Sequence, residues 1–183
     1  FPGYADVYTL LGQIYMADRQ QAKAYDQLVL SLQLDPNQDE IQSLCGSLAI
    51  GLGRLDKAEN HFSQAVSLAP QTVRHRLLLA QVYLKQHKHD KVLHALLEAI
   101  NIDSSLHEAY AMLCDLYAQQ GKHQLAIEQI DRAINHVPGD KPDRKFFYLR
   151  TKANLLRRVN RPKDALLTLQ LLPNDVRMES GVL

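Results

Sequence analysis

Residues 45–70 read CGSLAIGLGRLDKAENHFSQAVSLAP, and this stretch decides the fold. Apolar residues recur three or four apart on both sides of Gly53, the spacing of two amphipathic helices. The breakers, Gly53 between the halves and Pro70 after the second, mark where each helix stops. Working outward, the pattern returns every 34 residues. Pro2, Pro36, Pro70 and Pro138 stand at multiples of that spacing, and the skipped position is Ser104 in the turn-like segment Asp103-Ser104-Ser105. Three further columns keep the register: Ala24, Ala58, Val92 and Ala126; Leu28, Phe62, Leu96 and Ile130; Ser31, Ala65, Ala99 and Ala133. Ahead of them come Leu11-Gly12, Cys45-Gly46, Leu79-Ala80 and Leu113-Cys114, followed by Tyr15, Ala49, Tyr83 and Tyr117. A small residue in such a column lets two helices approach, and the large columns fill the space around it.

This period and these columns resemble the tetratricopeptide repeat, in which each unit is a helix, a tight turn and a second helix. The resemblance implies an all-α fold, a right-handed superhelical solenoid of tandem antiparallel helix pairs. The units fall at 5–38, 39–72, 73–106 and 107–140, with an irregular fifth at 146–179, so that residues 1–183 form a single array. The fifth unit departs from the pattern. An extra segment from Gly139 to Asp143 precedes it, Lys152 stands in a column that elsewhere holds Leu or Cys, and Pro173 follows Ala165 by 8 residues where the other units show 12. Its second helix is therefore expected to be about one turn short. Pro2 takes the closing position of a preceding repeat, and residues 174–179 begin a new helix-like pattern, so the array is expected to belong to a longer one.

The composition suits a packed, soluble segment: 46% hydrophobic and 22% charged residues over 183 positions. The longest apolar runs, such as 77–80 and 165–167, are far shorter than the roughly 18 to 20 residues needed to cross a bilayer, so no membrane insertion is expected. Two cysteines, Cys45 and Cys114, cannot make a disulfide scaffold and lack metal-ligand spacing. They fit small buried core residues and leave the compartment open, with the cytoplasm the first expectation. Net charge is +1, which gives no signature of nucleic-acid binding. RNA-reading helical arrays usually run at 35 residues with a base-reading pattern that is missing here. The charge is nevertheless uneven: residues 1–140 carry −5 and residues 141–183 carry +6.

No phosphate-binding, zinc-protease or serine-hydrolase motif is present, and the Gly51-Leu52-Gly53 pair belongs to a repeat turn. His87, His89 and His94 cluster in sequence but read as a solvated turn and the helix after it. No enzyme activity, metal or cofactor is expected; the rival reading is a regulatory or substrate-presenting segment of a larger enzyme. What stacked helix pairs offer is a concave face lined by their first helices. The resemblance places three stripes on it: Thr9, Ser43, Leu77, Ala111 and Arg150; Gln13, Ser47, Gln81, Asp115 and Asn154; Met16, Ile50, Leu84, Ala118 and Arg157. Exposed Met, Ile and Leu beside a row of amides and hydroxyls would suit a protein or peptide segment with apolar anchors. The family subtype that grips a C-terminal carboxylate needs Lys, Asn and Arg where this chain has Thr9, Gln13, Ser47, Leu77 and Gln81, so that clamp is absent. Arg150 and Asn154 resemble half of one, Arg157 and Arg158 follow on the same helix, and together they imply a partly acidic partner.

Overall fold

The computed structural model describes residues 3–173, and these form ten helices with no strand among them. In order they are α1 (Gly3–Ala17), α2 (Gln21–Leu34), α3 (Asp39–Gly51), α4 (Leu55–Leu68), α5 (Val73–Lys85), α6 (His89–Ile102), α7 (His107–Gln119), α8 (His123–His136), α9 (Pro142–Arg158) and α10 (Pro162–Gln170). The chain divides into two compact units, Phe1–Ile102 and Asp103–Leu183. In the first, α1 pairs with α2, α3 with α4 and α5 with α6, while α2 also packs on α3 and α4 on α5. In the second, α7 pairs with α8 and α9 with α10, and α8 packs on α9. The sequence expectation of an all-α array of helix pairs is thus met.

One backbone motif makes every pair. The chain enters the left-handed region at Arg19, Gly53, His87, Gly121 and Asn160, all with φ between 57° and 73°. Each of these residues donates its N–H to the carbonyl three residues back, as Gly53 does to Ile50 at 3.0 Å. The next residue then reaches five residues back, as Arg54 N–H does to the Ala49 carbonyl at 2.8 Å. This is the Schellman closure, which satisfies the last carbonyls of the first helix and reverses the chain. Glycine accepts the conformation freely because it has no Cβ; Arg19, His87 and Asn160 adopt it at some cost.

The two helices of a pair then meet closely. A Cβ at Gly46 would lie 2.7 Å from the Phe62 ring, so the ring occupies the space that glycine leaves. Ala24, Leu28, Ala58, Phe62 and Ala65 are sealed from solvent, as the columns require. A single core cluster joins Tyr25, Leu28 and Leu32 of α2 to Ile41, Cys45 and Leu48 of α3 and to Phe62 of α4.

The last pair differs from the expectation in two details. The sequence pattern predicts that the extra segment precedes the first helix through Asp143, but α9 already begins at Pro142 and runs for 17 residues. Proline suits the first helical position, where its missing N–H has no intrahelical role and its fixed φ is already helical. The second helix, α10, has 9 residues against 14 in α2, α4, α6 and α8, a little more than the single turn expected. Lys152 is accommodated in its apolar column by an ion pair with Asp131 of α8 at 2.6 Å. Pro2 and residues 174–179, read as traces of further repeats, lie outside the described residues.

Candidate functional site

In the first unit the middle stripe is open along its length: Gln13 of α1, Ser47 of α3 and Gln81 of α5 are all exposed. The flanking stripes are only half-buried. Thr9 spends its hydroxyl on Ser31 of α2 at 2.7 Å, which leaves less of it for a ligand than the sequence suggested. Met16, Ile50 and Leu84, expected as exposed anchors, are half-buried, and Met16 and Ile50 pack against the core cluster. The reason is local. All three accept the short Schellman hydrogen bond, so they sit at the helix end where the chain folds back over them. Leu77 is likewise half-buried.

A cavity of about 240 Å³ opens between α3 and α5. Ser43 and Ser47 line it, with Leu44 and Leu78 as its apolar part, and Asp39, Glu40, Arg74 and His75 supply charge and hydrogen-bonding groups. His75 is 3% exposed and ties the two helices together. Its Nε2 lies 2.9 Å from Asp39 Oδ2 and its Nδ1 lies 2.7 Å from Ser43 Oγ. With Nε2 donating to the carboxylate, Nδ1 accepts from the serine hydroxyl. Both ring nitrogens are therefore engaged in joining neighbouring repeats. Ser47 Oγ donates back to the Ser43 carbonyl at 2.9 Å, a bond a ligand could exchange at little cost because the residue is exposed.

In the second unit Arg150, Asn154 and Arg157 are all exposed on α9, and Asn154, Arg157 and Arg158 line a wide, open hollow of about 500 Å³. Asp115 of α7 keeps contact with solvent, yet desolvation by its surroundings holds its carboxyl above the usual range. Ala111 and Ala118 are half-buried beside it on the same helix.

Family models described as tetratricopeptide repeat match residues 46–106 and, separately, residues 5–38 and 107–135. The chain is a tetratricopeptide repeat protein. Its fold is similar to solved structures of MamA. One crystal structure of MamA protein is 18% identical, with a TM-score of 0.83 over 100% of this chain and 98% of that one. A MamA chain from Desulfovibrio magneticus RS-1 is 18% identical, with a TM-score of 0.78 over 91% of this chain and 92% of that one. At such identities the likeness speaks for the fold alone. No curated protein sequence matches the chain.

Three histidines of this tetratricopeptide repeat protein, His61, His75 and His107, link its helices. His61 Nδ1 donates to Gln42 Oε1 at 2.8 Å, which leaves Nε2 to accept from the Tyr25 hydroxyl at 3.0 Å, and burial holds its pKa below 6.5. His107 Nδ1 lies 3.1 Å from the Tyr148 hydroxyl, joining α7 to α9. His87 occupies the positive-φ turn, His89 opens α6, and exposed His94 stands 3.6 Å from Glu98. Cys45 and Cys114 are buried, and desolvation pushes both thiols up to about 12, so neither is a ready nucleophile. The sequence reading missed Asp39, Glu40, Arg74 and His75. One signal was available: His75 stands one period after Ile41 and two after Val7, a polar residue in an apolar column.

Proposed function

We propose that this array is a protein-interaction scaffold that holds an extended peptide or partner segment against the exposed faces of its first helices. In the first unit the contacts are Gln13, Ser47 and Gln81, bordered by Thr9, Met16, Ile50, Leu77 and Leu84. In the second they are Asp115, Arg150, Asn154 and Arg157, where the arginines favour an acidic stretch. The observation that carries the reading is the unbroken exposure of Gln13, Ser47 and Gln81 beside a cavity lined by serines and charges. Amides and hydroxyls of this kind can hydrogen-bond a peptide backbone, and the half-buried aliphatic residues offer apolar contact without needing to be ordered first.

Screening arrayed peptides of acidic and neutral composition against the full chain tests this. Ser47→Arg with Gln81→Arg, both at exposed positions, should weaken binding of first-unit ligands at least tenfold. Arg150→Glu with Arg157→Glu should lower the affinity for acidic peptides and flatten its salt dependence. Equal binding by both folded variants would overturn the assignment.

A further inference from the structure

The cavity between α3 and α5 is built around a polar link that the repeat itself does not require. Asp39 and His75 are joined there, whereas the same two columns hold Ala5 and Ile41 one repeat earlier and Val73 and Ala109 one repeat later. Ala5 and Ile41 are both buried, so apolar residues can serve this place in the packing. The hydroxyls beside the link have their protons committed. His75 donates from Nε2 to Asp39 Oδ2 at 2.9 Å, and its Nδ1 accepts the Ser43 hydroxyl at 2.7 Å. Ser47 donates its own hydroxyl to the Ser43 carbonyl at 2.9 Å. A serine hydroxyl has a single proton beside its lone pairs, so towards a ligand both serines can accept without giving up a bond. Asp39 has a second carboxylate oxygen, and Glu40 makes no hydrogen bond or ion pair among the described residues; both side chains line the cavity.

We infer that this cavity is a specificity pocket for a basic side chain, the lysine or arginine of a bound partner segment. That segment is the one the scaffold reading supplies, and the pocket's role rests on that reading. Acceptors on Ser43, Ser47, Asp39 and Glu40 match a group that has several donors and no acceptor, which describes an ammonium or a guanidinium. Leu44 and Leu78 form the apolar wall along which an aliphatic stem can lie while its charged head reaches the carboxylates. The charge agrees. Two carboxylates line the cavity against a single guanidinium, that of Arg74, because His75 in this tautomer is neutral. Arg74 is exposed and makes no ion pair among the described residues, so it is free to turn to solvent. An acidic ligand group would find uncommitted donors only on Arg74 and Thr72 and would stand beside Asp39 and Glu40.

The pocket's preference can be read first without a partner. Amide resonances of the full chain are followed as Nα-acetyl-lysine methylamide or its arginine analogue is added, with the norleucine and glutamate analogues as controls. The two basic probes should shift residues 39–47 and 72–78, and the controls should leave them unmoved. Glu40→Lys, at an exposed position outside the Asp39–His75–Ser43 link, should abolish those shifts. Peptides then test the segment. Among those that bind the first unit, replacing the lysine or arginine by norleucine should weaken binding about tenfold or more, and replacement by glutamate should be partly rescued by Glu40→Lys. Peptides that lose nothing on the norleucine replacement would overturn the pocket and leave the scaffold reading standing. If no peptide binds, the scaffold reading fails and the lysine probe decides: shifts at the cavity keep its preference for a cation with a free amine as the source, and unmoved resonances overturn it. Shifts from the glutamate probe alone would also overturn it and assign the cavity to an acid held by Arg74.

Discussion

The α3–α4 pair and the α9–α10 pair make the same turn out of helices of different length. The first joins 13 and 14 residues, the second 17 and 9. Yet Gly53 and Asn160 both sit in the left-handed region, and each is followed by a residue whose N–H reaches five back, Arg54 to Ala49 and Arg161 to Leu156, both at 2.8 Å. The repeat is therefore defined at its turn and at the close contact just before it, while the far ends of the helices are free to vary. A backbone motif needs only its own carbonyls and one residue at positive φ, whereas helix length is set by whatever packs beyond.

The largest effect should come from the close contact. Gly46→Leu drives a side chain into Phe62, whose ring already stands 2.7 Å from where the first added carbon would go, and should cost about 3 kcal/mol or more. Ala153 holds the corresponding place in α9, is buried and already carries a Cβ. Ala153→Leu should therefore cost less, about 1 to 2 kcal/mol. Denaturant midpoints that move equally for the two variants would show that the close approach is not tighter in the regular pair.

Acid should weaken the first unit in two stages. Burial holds the folded His61 below 6.5, so as pH falls past that value the unfolded chain takes up the proton first and stability declines. Burial pushes Glu59 upward, but hydrogen bonds from Lys88, Lys91 and Gln86 outweigh it and hold the carboxyl below its ordinary value of 4.5. The stabilisation from Glu59 is thus complete above 4.5 and is lost as pH falls through the lower, folded value. Melting temperature measured from pH 7 to pH 3 should show both declines. His61→Gln should flatten the upper one and Glu59→Gln the lower one.

The smallest effects should lie in the turns themselves. His87→Gly relieves a left-handed backbone and should stabilise by about 0.5 to 1 kcal/mol, the difference between the strain removed and the entropy that glycine adds to the unfolded chain. Asn160→Gly should gain less, because asparagine tolerates this conformation better than histidine. Gly53→Ala should destabilise, and chemical denaturation resolves the order of the three.

Much of this architecture is legible in the sequence because a 34-residue period aligns its columns. Gly53 and Gly121 announce their turns, and Ala58, Phe62 and Ala65 announce a buried second helix. What was not legible depends on contacts between columns. The Ser43–His75–Asp39 link joins positions 32 and 36 residues apart, so it falls off the period. The half-burial of Met16 and Ile50 follows from the way the Schellman turn folds over the helix end, which a stripe drawn on an ideal helix does not show. The early start of α9 turns on Pro142, which reads equally as a loop residue or as the first residue of a helix.

Site-specific photo-crosslinking tests whether the exposed first-helix stripe carries the interactions of this repeat protein. A photoreactive residue is placed singly at Ser47, at Gln81 and, as the control, at Gln64, which is exposed on the second helix α4. With a peptide selected from the array screen, covalent adducts are expected at positions 47 and 81 and none at 64, with Ile50 and Leu84 protected from solvent labelling in the same complex. Adducts at 64 with none at 47 or 81 would contradict it and move the interaction surface to the second helices.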